Sequence, residues 1–314
     1  MAKYNLDPEM QAFVDKCLNF FDEDSAFQSG EEQRSRYTAL CKEFDKPHPA
    51  GLSITNDTVP GNGFDIPIRI YQPEGPPRMG CLIFFHGGGW VVGDLDSHDS
   101  VTAEIAHRAG VTVIAVDYRM APEIVYPVGH EDCWCVVEAV AGNPDKYGID
   151  PDRIGVGGDS AGAHVSAGLA RRARDKGGPK IAAQILMYGA FGGDGSLPSY
   201  TECSDAPLLS TADIDEYHKF YWPDGRMPDD ALAAPLAAED MTGLPPAFVQ
   251  AAEYDPVRDD SVEYARRLEA AGVDVELIVE SGLVHSFLRA RHVSNRAGDA
   301  FTRVCDATKR LLAE

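Results

Sequence analysis

Three residue types that together perform nucleophilic acyl transfer occur in order along the chain: Ser160, Asp255 and His285. A neutral hydroxyl attacks poorly, so a serine nucleophile needs a base within hydrogen-bond reach and an acid to orient that base. Ser160 lies in Gly157-Gly158-Asp159-Ser160-Ala161-Gly162, between the β-prone run Arg153-Ile154-Gly155-Val156 and an Ala-rich segment of helical composition, 161–174. In a strand-turn-helix elbow the serine is held strained with its hydroxyl exposed, and small residues at Gly158 and Gly162 avoid clashes. A Gly-rich turn without chemistry has the same local sequence, so the partners decide. On such an elbow the acid and then the histidine follow downstream, in loops after strands. Asp255 follows the apolar run 247–251 and precedes Pro256, which stops the strand; Glu253, Asp259 and Asp260 compete with it. Asp259 and Asp260 read as the charged start of the next helix. His285 follows the apolar run 275–279, and only His292 lies further on, among Arg289, Arg291 and Arg296, where a surface role is expected. His164, four residues beyond Ser160, is carried away from the hydroxyl by the outgoing helix and reads as a packing residue.

Acyl transfer also develops negative charge on the carbonyl oxygen, which backbone N–H groups can stabilise. His86-Gly87-Gly88-Gly89-Trp90 comes directly after the apolar run 81–85. Glycines there let the backbone approach a substrate closely. Gly88 and Gly89, with the amide of Ala161, make a candidate three-donor oxyanion hole, and His86 is expected to brace the loop. No Lys-Ser/Thr follows, as a phosphate-binding P-loop would require.

Positioning these groups demands a particular scaffold. Continuous apolar runs at 81–85, 111–116, 154–156, 182–187, 247–251 and 275–279 read as strands buried on both faces, as in a parallel sheet covered by helices. Helical segments fall between them, near 97–109, 131–141, 161–175 and 260–271, with a last one at 294–312. That alternation predicts a doubly wound α/β sheet. Before it, Ile54, Val59, Phe64, Ile66, Ile68 and Ile70 alternate around Pro60-Gly61-Asn62-Gly63, an antiparallel hairpin. At the N-terminus Asp7 can cap a helix with Pro8 at its first position and Met10, Phe13, Val14, Cys17 and Leu18 on one face. A long interval breaks the alternation. It begins with Gly192-Gly193-Asp194-Gly195-Ser196-Leu197-Pro198, continues with a capping box at Ser210 and Asp213, and ends in Ile214, Tyr217, Phe220, Tyr221 and Trp222. Its length suggests a lid over the carboxyl ends of the strands; an aromatic helix plugging the core would have the same sequence.

The 28 basic and 50 acidic residues among 314 give a net charge of −22. A surface this negative repels nucleic-acid backbones and anionic lipid headgroups, so neither nucleic acid nor membrane is an expected partner. Apolar residues at 44% and charged residues at 25% are globular values. The seven cysteines, Cys17, Cys41, Cys81, Cys133, Cys135, Cys203 and Cys305, lack a disulfide or zinc spacing and read as reduced core residues. No metal or organic cofactor is expected. The start, Met1-Ala2-Lys3-Tyr4, has no apolar signal run, and a cytoplasmic protein is the expectation.

Six motifs in order carry a family resemblance: His86-Gly87-Gly88-Gly89-Trp90, Gly93-Asp94, Asp117-Tyr118-Arg119-Met120-Ala121-Pro122-Glu123, Gly158-Asp159-Ser160-Ala161-Gly162, Asp255-Pro256-Val257-Arg258-Asp259 and His285-Ser286-Phe287. From about residue 50 onward the chain resembles the bacterial hormone-sensitive-lipase-like esterases, in the branch with the Gly-Asp-Ser-Ala-Gly elbow. The resemblance implies an α/β-hydrolase fold, with a mostly parallel central sheet flanked by helices and a helical cap. It divides the chain into an N-terminal part of the cap at 1–50, core at 51–189, a cap insertion at 190–236 and core at 237–314. It implies a serine carboxylesterase with Ser160, Asp255 and His285 as triad, Gly88, Gly89 and Ala161 as oxyanion hole, short- to medium-chain acyl esters as substrates, and often a homodimer. Trp90, Tyr188, Phe191, Tyr217, Phe220 and Trp222 could line the pocket. An amidase or deacetylase with the same triad, or a non-hydrolytic receptor on the same fold, are the alternatives. Departures are small: Ser286 where many members have Gly, and Val257 where Leu is common.

Overall fold

A computed structural model describes residues 3–20, 30–76, 78–193, 195–228 and 230–314. Met1, Ala2, residues 21–29 of the N-terminal segment, Pro77, Asp194 and Asp229 lie outside these. Two helices come first, α1 (Pro8–Leu18) and α2 (Gly30–Lys42). Asp7 caps α1 by accepting from Met10 N–H, and Met10, Phe13, Val14 and Cys17 are buried, whereas Leu18 turns out to solvent. The second helix had little apolar periodicity to announce it; only Leu40 and Cys41 are buried along its length.

The hairpin β1 (Leu52–Pro60) and β2 (Asp65–Pro73) follows, antiparallel as its alternation predicts. The α/β alternation then runs β3 (Met79–Phe85), α3 (Asp99–Ala109), β4 (Thr112–Val116), α4 (Val128–Gly142), the short α5 (Pro144–Tyr147), β5 (Ile149–Asp159), α6 (Ala161–Lys176) and β6 (Ala183–Met187). After the insertion with α7 (Pro198–Glu202) and α8 (Thr211–Tyr221) come β7 (Ala247–Tyr254), α9 (Arg258–Ala270), β8 (Val275–Val284) and α10 (Asn295–Thr308). Among the described residues these form one eight-stranded sheet in the order β1-β2-β4-β3-β5-β6-β7-β8, parallel from β4 to β8.

The strand runs lack alternation because both faces are covered. Leu82 and Phe84 of β3 join the core with α3, α10 and α1, while Cys81, Ile83 and Phe85 join the opposite core with α4 and α6. One run departs from the expectation: β8 is an edge strand, with Leu277 and Val279 36% and 41% exposed, and is not buried on both faces. An edge strand is covered by fewer neighbours, so an apolar run alone did not distinguish it from a central one. All seven cysteines are free, and six are buried. Among the described residues no helix is long and apolar enough to cross a membrane.

Candidate active site

The parallel strands end on one side, and the loops leaving them there carry the candidate residues. Ser160 connects β5 to α6 with φ 51° and ψ −118°, a conformation that a non-glycine residue adopts only when held. Its N–H donates to Met187 O of β6 at 2.9 Å. Gly158 and Gly162 are required because a Cβ on either would stand 2.1 or 1.8 Å from the Phe85 carbonyl oxygen at the end of β3. The elbow is pressed against the neighbouring strand end.

His285 follows β8 and is 5% exposed; Asp255 follows β7 and is fully buried. Asp255 Oδ2 is 2.6 Å from His285 Nδ1, and His285 Nε2 is 2.9 Å from Ser160 Oγ. With Nδ1–H donating to the carboxylate, Nε2 is the acceptor for the serine hydroxyl. Asp255 Oδ1 accepts from Val257 N–H at 3.0 Å, which fixes the carboxylate. The competing acids are engaged elsewhere. Glu253 accepts from Ser281 Oγ and Gly282 N–H, Asp259 from Ser199 N–H, and Asp260 from Phe191 and Gly193 N–H. Ser286 has a φ of 66°, a left-handed conformation that suits the Gly common there.

The loop after β3 adopts positive φ at Gly88 and Gly89. The Gly88 carbonyl accepts from the Val91 and Val92 N–H groups, and peptide planarity then directs Gly89 N–H the opposite way. Ser160, Gly88, Gly89, Ala161 and His285 line one cavity of about 100 Å³. His86 braces the loop as expected, with Nδ1 2.9 Å from Gly87 O and its ring stacked on Tyr118. Burial lowers the His86 imidazole to about 4, so it stays neutral at pH 7. His164 points away into a buried cluster, its Nε2 2.6 Å from Ala233 O, and His292 meets Glu104 at the surface.

The cavity walls match the sequence expectation only in part. Trp90 and Tyr217 line it, but Tyr188, Phe191, Phe220 and Trp222 do not. Tyr188 sits edge-on beside His285 with ring centroids 4.9 Å apart, Phe191 stacks on Tyr264, Phe220 is exposed, and Trp222 packs behind Trp90. Tyr37 of α2, Leu208, Leu209, His218 and Val257 take their places. Nothing in the sequence marked Tyr37, because which loop side chains reach a cavity depends on how separate segments dock. Tyr217 of α8 lies directly on Gly89.

A profile for the alpha/beta hydrolase fold matches residues 82–289. Carboxylesterase NlhH of Mycobacterium tuberculosis is 43% identical over 266 residues, 83% of either chain. The chain belongs to the hormone-sensitive-lipase-like carboxylesterases. Ethyl acetate hydrolase of Pseudomonas putida is 34% identical, covering 95% of this chain and 91% of that one. The esterase of Pyrobaculum calidifontis superposes with a TM-score of 0.89 at 29% identity, covering 99% of this chain and 100% of that one. Family membership makes this chain a carboxylesterase and sets aside a non-hydrolytic receptor.

Proposed function

We propose that this carboxylesterase hydrolyses small acyl esters through Ser160, His285 and Asp255, by way of an acyl-enzyme. The observation that carries the reading is the unbroken chain Asp255–His285–Ser160, with 2.6 and 2.9 Å links, ending in a cavity beside Gly88, Gly89 and Ala161. Ser160 Oγ attacks the ester carbonyl as His285 Nε2 takes its proton. The tetrahedral oxyanion is held by the N–H groups of Gly88, Gly89 and Ala161. His285 returns the proton to the departing alcohol, then deprotonates a water that attacks the acyl-enzyme, releasing acid and restoring Ser160. Asp255 holds the imidazole tautomer throughout.

A cavity of about 100 Å³ is well below the roughly 300–1,000 Å³ of pockets that take drug-sized ligands, which favours the short end of the acyl range. The cap, in this reading, is residues 1–50 with 190–236. The enzyme works in the cytoplasm, and a homodimer forms through the open β8 edge, where Leu277 and Val279 are exposed. The deciding experiment is organophosphate labelling with and without His285. Stoichiometric modification of Ser160 that collapses in His285→Ala is expected; labelling elsewhere, or ester turnover retained by Ser160→Ala, overturns the assignment. Matched ester and amide substrates separate an esterase from an amidase or deacetylase.

A further inference from the structure

Asp159, the residue before the candidate nucleophile, is 2% exposed, and a carboxylate so buried is costly unless hydrogen-bonded and balanced. Its Oδ1 accepts from Gly87 N–H at 2.9 Å and faces His98 Nε2 at 3.2 Å, while Oδ2 accepts from Tyr188 OH at 3.3 Å. Gly87 is the first glycine of the loop that turns Gly88 and Gly89 toward the cavity. A Cβ at Gly87 would stand 2.6 Å from Asp159 Oδ2, so carboxylate and loop are in direct contact.

The second half of the arrangement is Arg289, 6% exposed, just past His285. Among the described residues no carboxylate lies within ion-pair distance of it. Its guanidinium lies 4.7 Å over the Tyr37 ring, hydrogen-bonds to the Tyr37 hydroxyl, donates from Nε to Cys41 Sγ at 3.0 Å and approaches His98 Nε2 at 3.4 Å. A single nitrogen, His98 Nε2, thus faces both a buried anion and a buried cation; where it donates to Asp159 it cannot also accept from Arg289, and the guanidinium acts there by its charge. Burial would raise Asp159, but His98, Arg289 and the Gly87 N–H outweigh it and hold the carboxyl well below the usual range. Tyr37 lines the cavity, so this group reaches from helix α2 to the loop beneath the substrate.

We propose that Asp159 is a positioning residue for the oxyanion loop, and that Arg289, lying beside His98 and held by Tyr37 and Cys41 of helix α2, supplies its balancing charge. The inference rests on the reading of Gly88 and Gly89 as oxyanion donors. Without Asp159 the Gly87 amide loses its anchor; without Arg289 an uncompensated anion lies beside the site where the oxyanion develops. Both faults act on the transition state more than on the bound ester.

The test is kinetic, on the full chain. Asp159→Ala removes the acceptor of the Gly87 N–H together with the charge, and Arg289→Met removes the cation. Each is expected to lower kcat by about 10²-fold with KM changed by less than ~3-fold. The double variant should lose distinctly less than the product of the two, because the charges leave together. Should either fail to fold, His98 decides: His98→Gln, whose amide still donates to Asp159, should stay within ~3-fold of the parent, and His98→Leu should fall by about 10²-fold. Folded Asp159→Ala with parental kcat, strictly multiplicative losses, or His98→Leu equal to His98→Gln overturns the proposal. Organophosphate labelling of Ser160 in the same variants keeps the two readings apart. Normal labelling with unchanged turnover defeats only the positioning role, whereas absent labelling in the parent defeats the serine mechanism.

Discussion

Gly89→Ala tests how the loop beside Ser160 is held. Gly89 has φ +60°, and a Cβ there would sit 2.4 to 2.6 Å from three ring atoms of Tyr217 on α8. Ordinary contact begins at 3.4 Å, so the ring or the loop must move by about an ångström. Two costs can be separated. The left-handed backbone costs an alanine about 1–2 kcal/mol wherever it occurs, a loss of fold stability that no neighbour can repair. The collision with Tyr217 adds about 1–3 kcal/mol if the structure resists, or displaces the Gly89 N–H if the loop yields. Losing one oxyanion donor lowers kcat by about 10²–10³. Steady-state kinetics on a chromogenic acetate ester should therefore show kcat falling by that factor, with KM little changed. In the Tyr217→Ala background the ring is gone and at least ~10-fold of kcat should return relative to the Tyr217→Ala single variant. Gly88→Ala provides the contrast, because its Cβ would meet the Val92 carbonyl oxygen at 2.1 Å, main chain that Tyr217→Ala leaves in place. If Gly89→Ala turns over within a few-fold of the parent, the donor assignment fails; if Tyr217→Ala rescues Gly88→Ala equally, the steric account fails.

Burial, ahead of the N–H groups of Gly193 and Phe191 that lower it, raises Asp260 from 3.8 to about 7. The folded state thus keeps a proton that the unfolded chain releases, and a contribution of roughly 4 kcal/mol present below pH 4 is lost as pH rises through 7; urea titrations should show this slope vanish in Asp260→Asn. His164 has the opposite sign: burial lowers it from 6.5 to about 4, so roughly 3 kcal/mol present above pH 6.5 is lost as pH falls through 4, and His164→Gln should flatten that window. Gly162→Ala places a Cβ 1.8 Å from Phe85 O and is expected to abolish soluble expression or activity, read by circular dichroism and ester turnover. Val279→Lys, on the exposed β8 edge, should convert a dimer to monomer by light scattering without altering kcat; an unchanged mass refutes that interface.

The parts legible in the sequence are those fixed by local chemistry. The elbow, the hairpin, the cap of α1 and the Ser210–Asp213 capping box follow from short-range sterics and hydrogen bonding, and the structure places each where its residues ask for it. The apolar runs gave the strands for the same reason, but not which strand stands at the edge, since Leu277 and Val279 resemble the buried runs in type. Helix α2 was not legible because it buries little along its own length; polar contacts to distant segments hold it, such as Arg34 to the Val91 and Ala121 carbonyls and Thr38 to Asp94. Contacts between residues more than fifty positions apart leave no periodicity to read.

The same division accounts for Asp159 and for the strain at Ser160. Holding a serine at φ 51° costs of order 1–3 kcal/mol, a sizeable part of a typical net stability of about 5–15 kcal/mol. The motif announces the strained residue, but what sustains it is remote. Met187 O accepts the Ser160 N–H, Phe85 O crowds both flanking glycines, and His98 with Arg289 stands behind the neighbouring carboxylate. These supports come from β6, β3, the start of α3 and the segment after His285. A change in any of them should therefore reach Ser160 through its backbone, without touching the Asp255–His285–Ser160 chain itself.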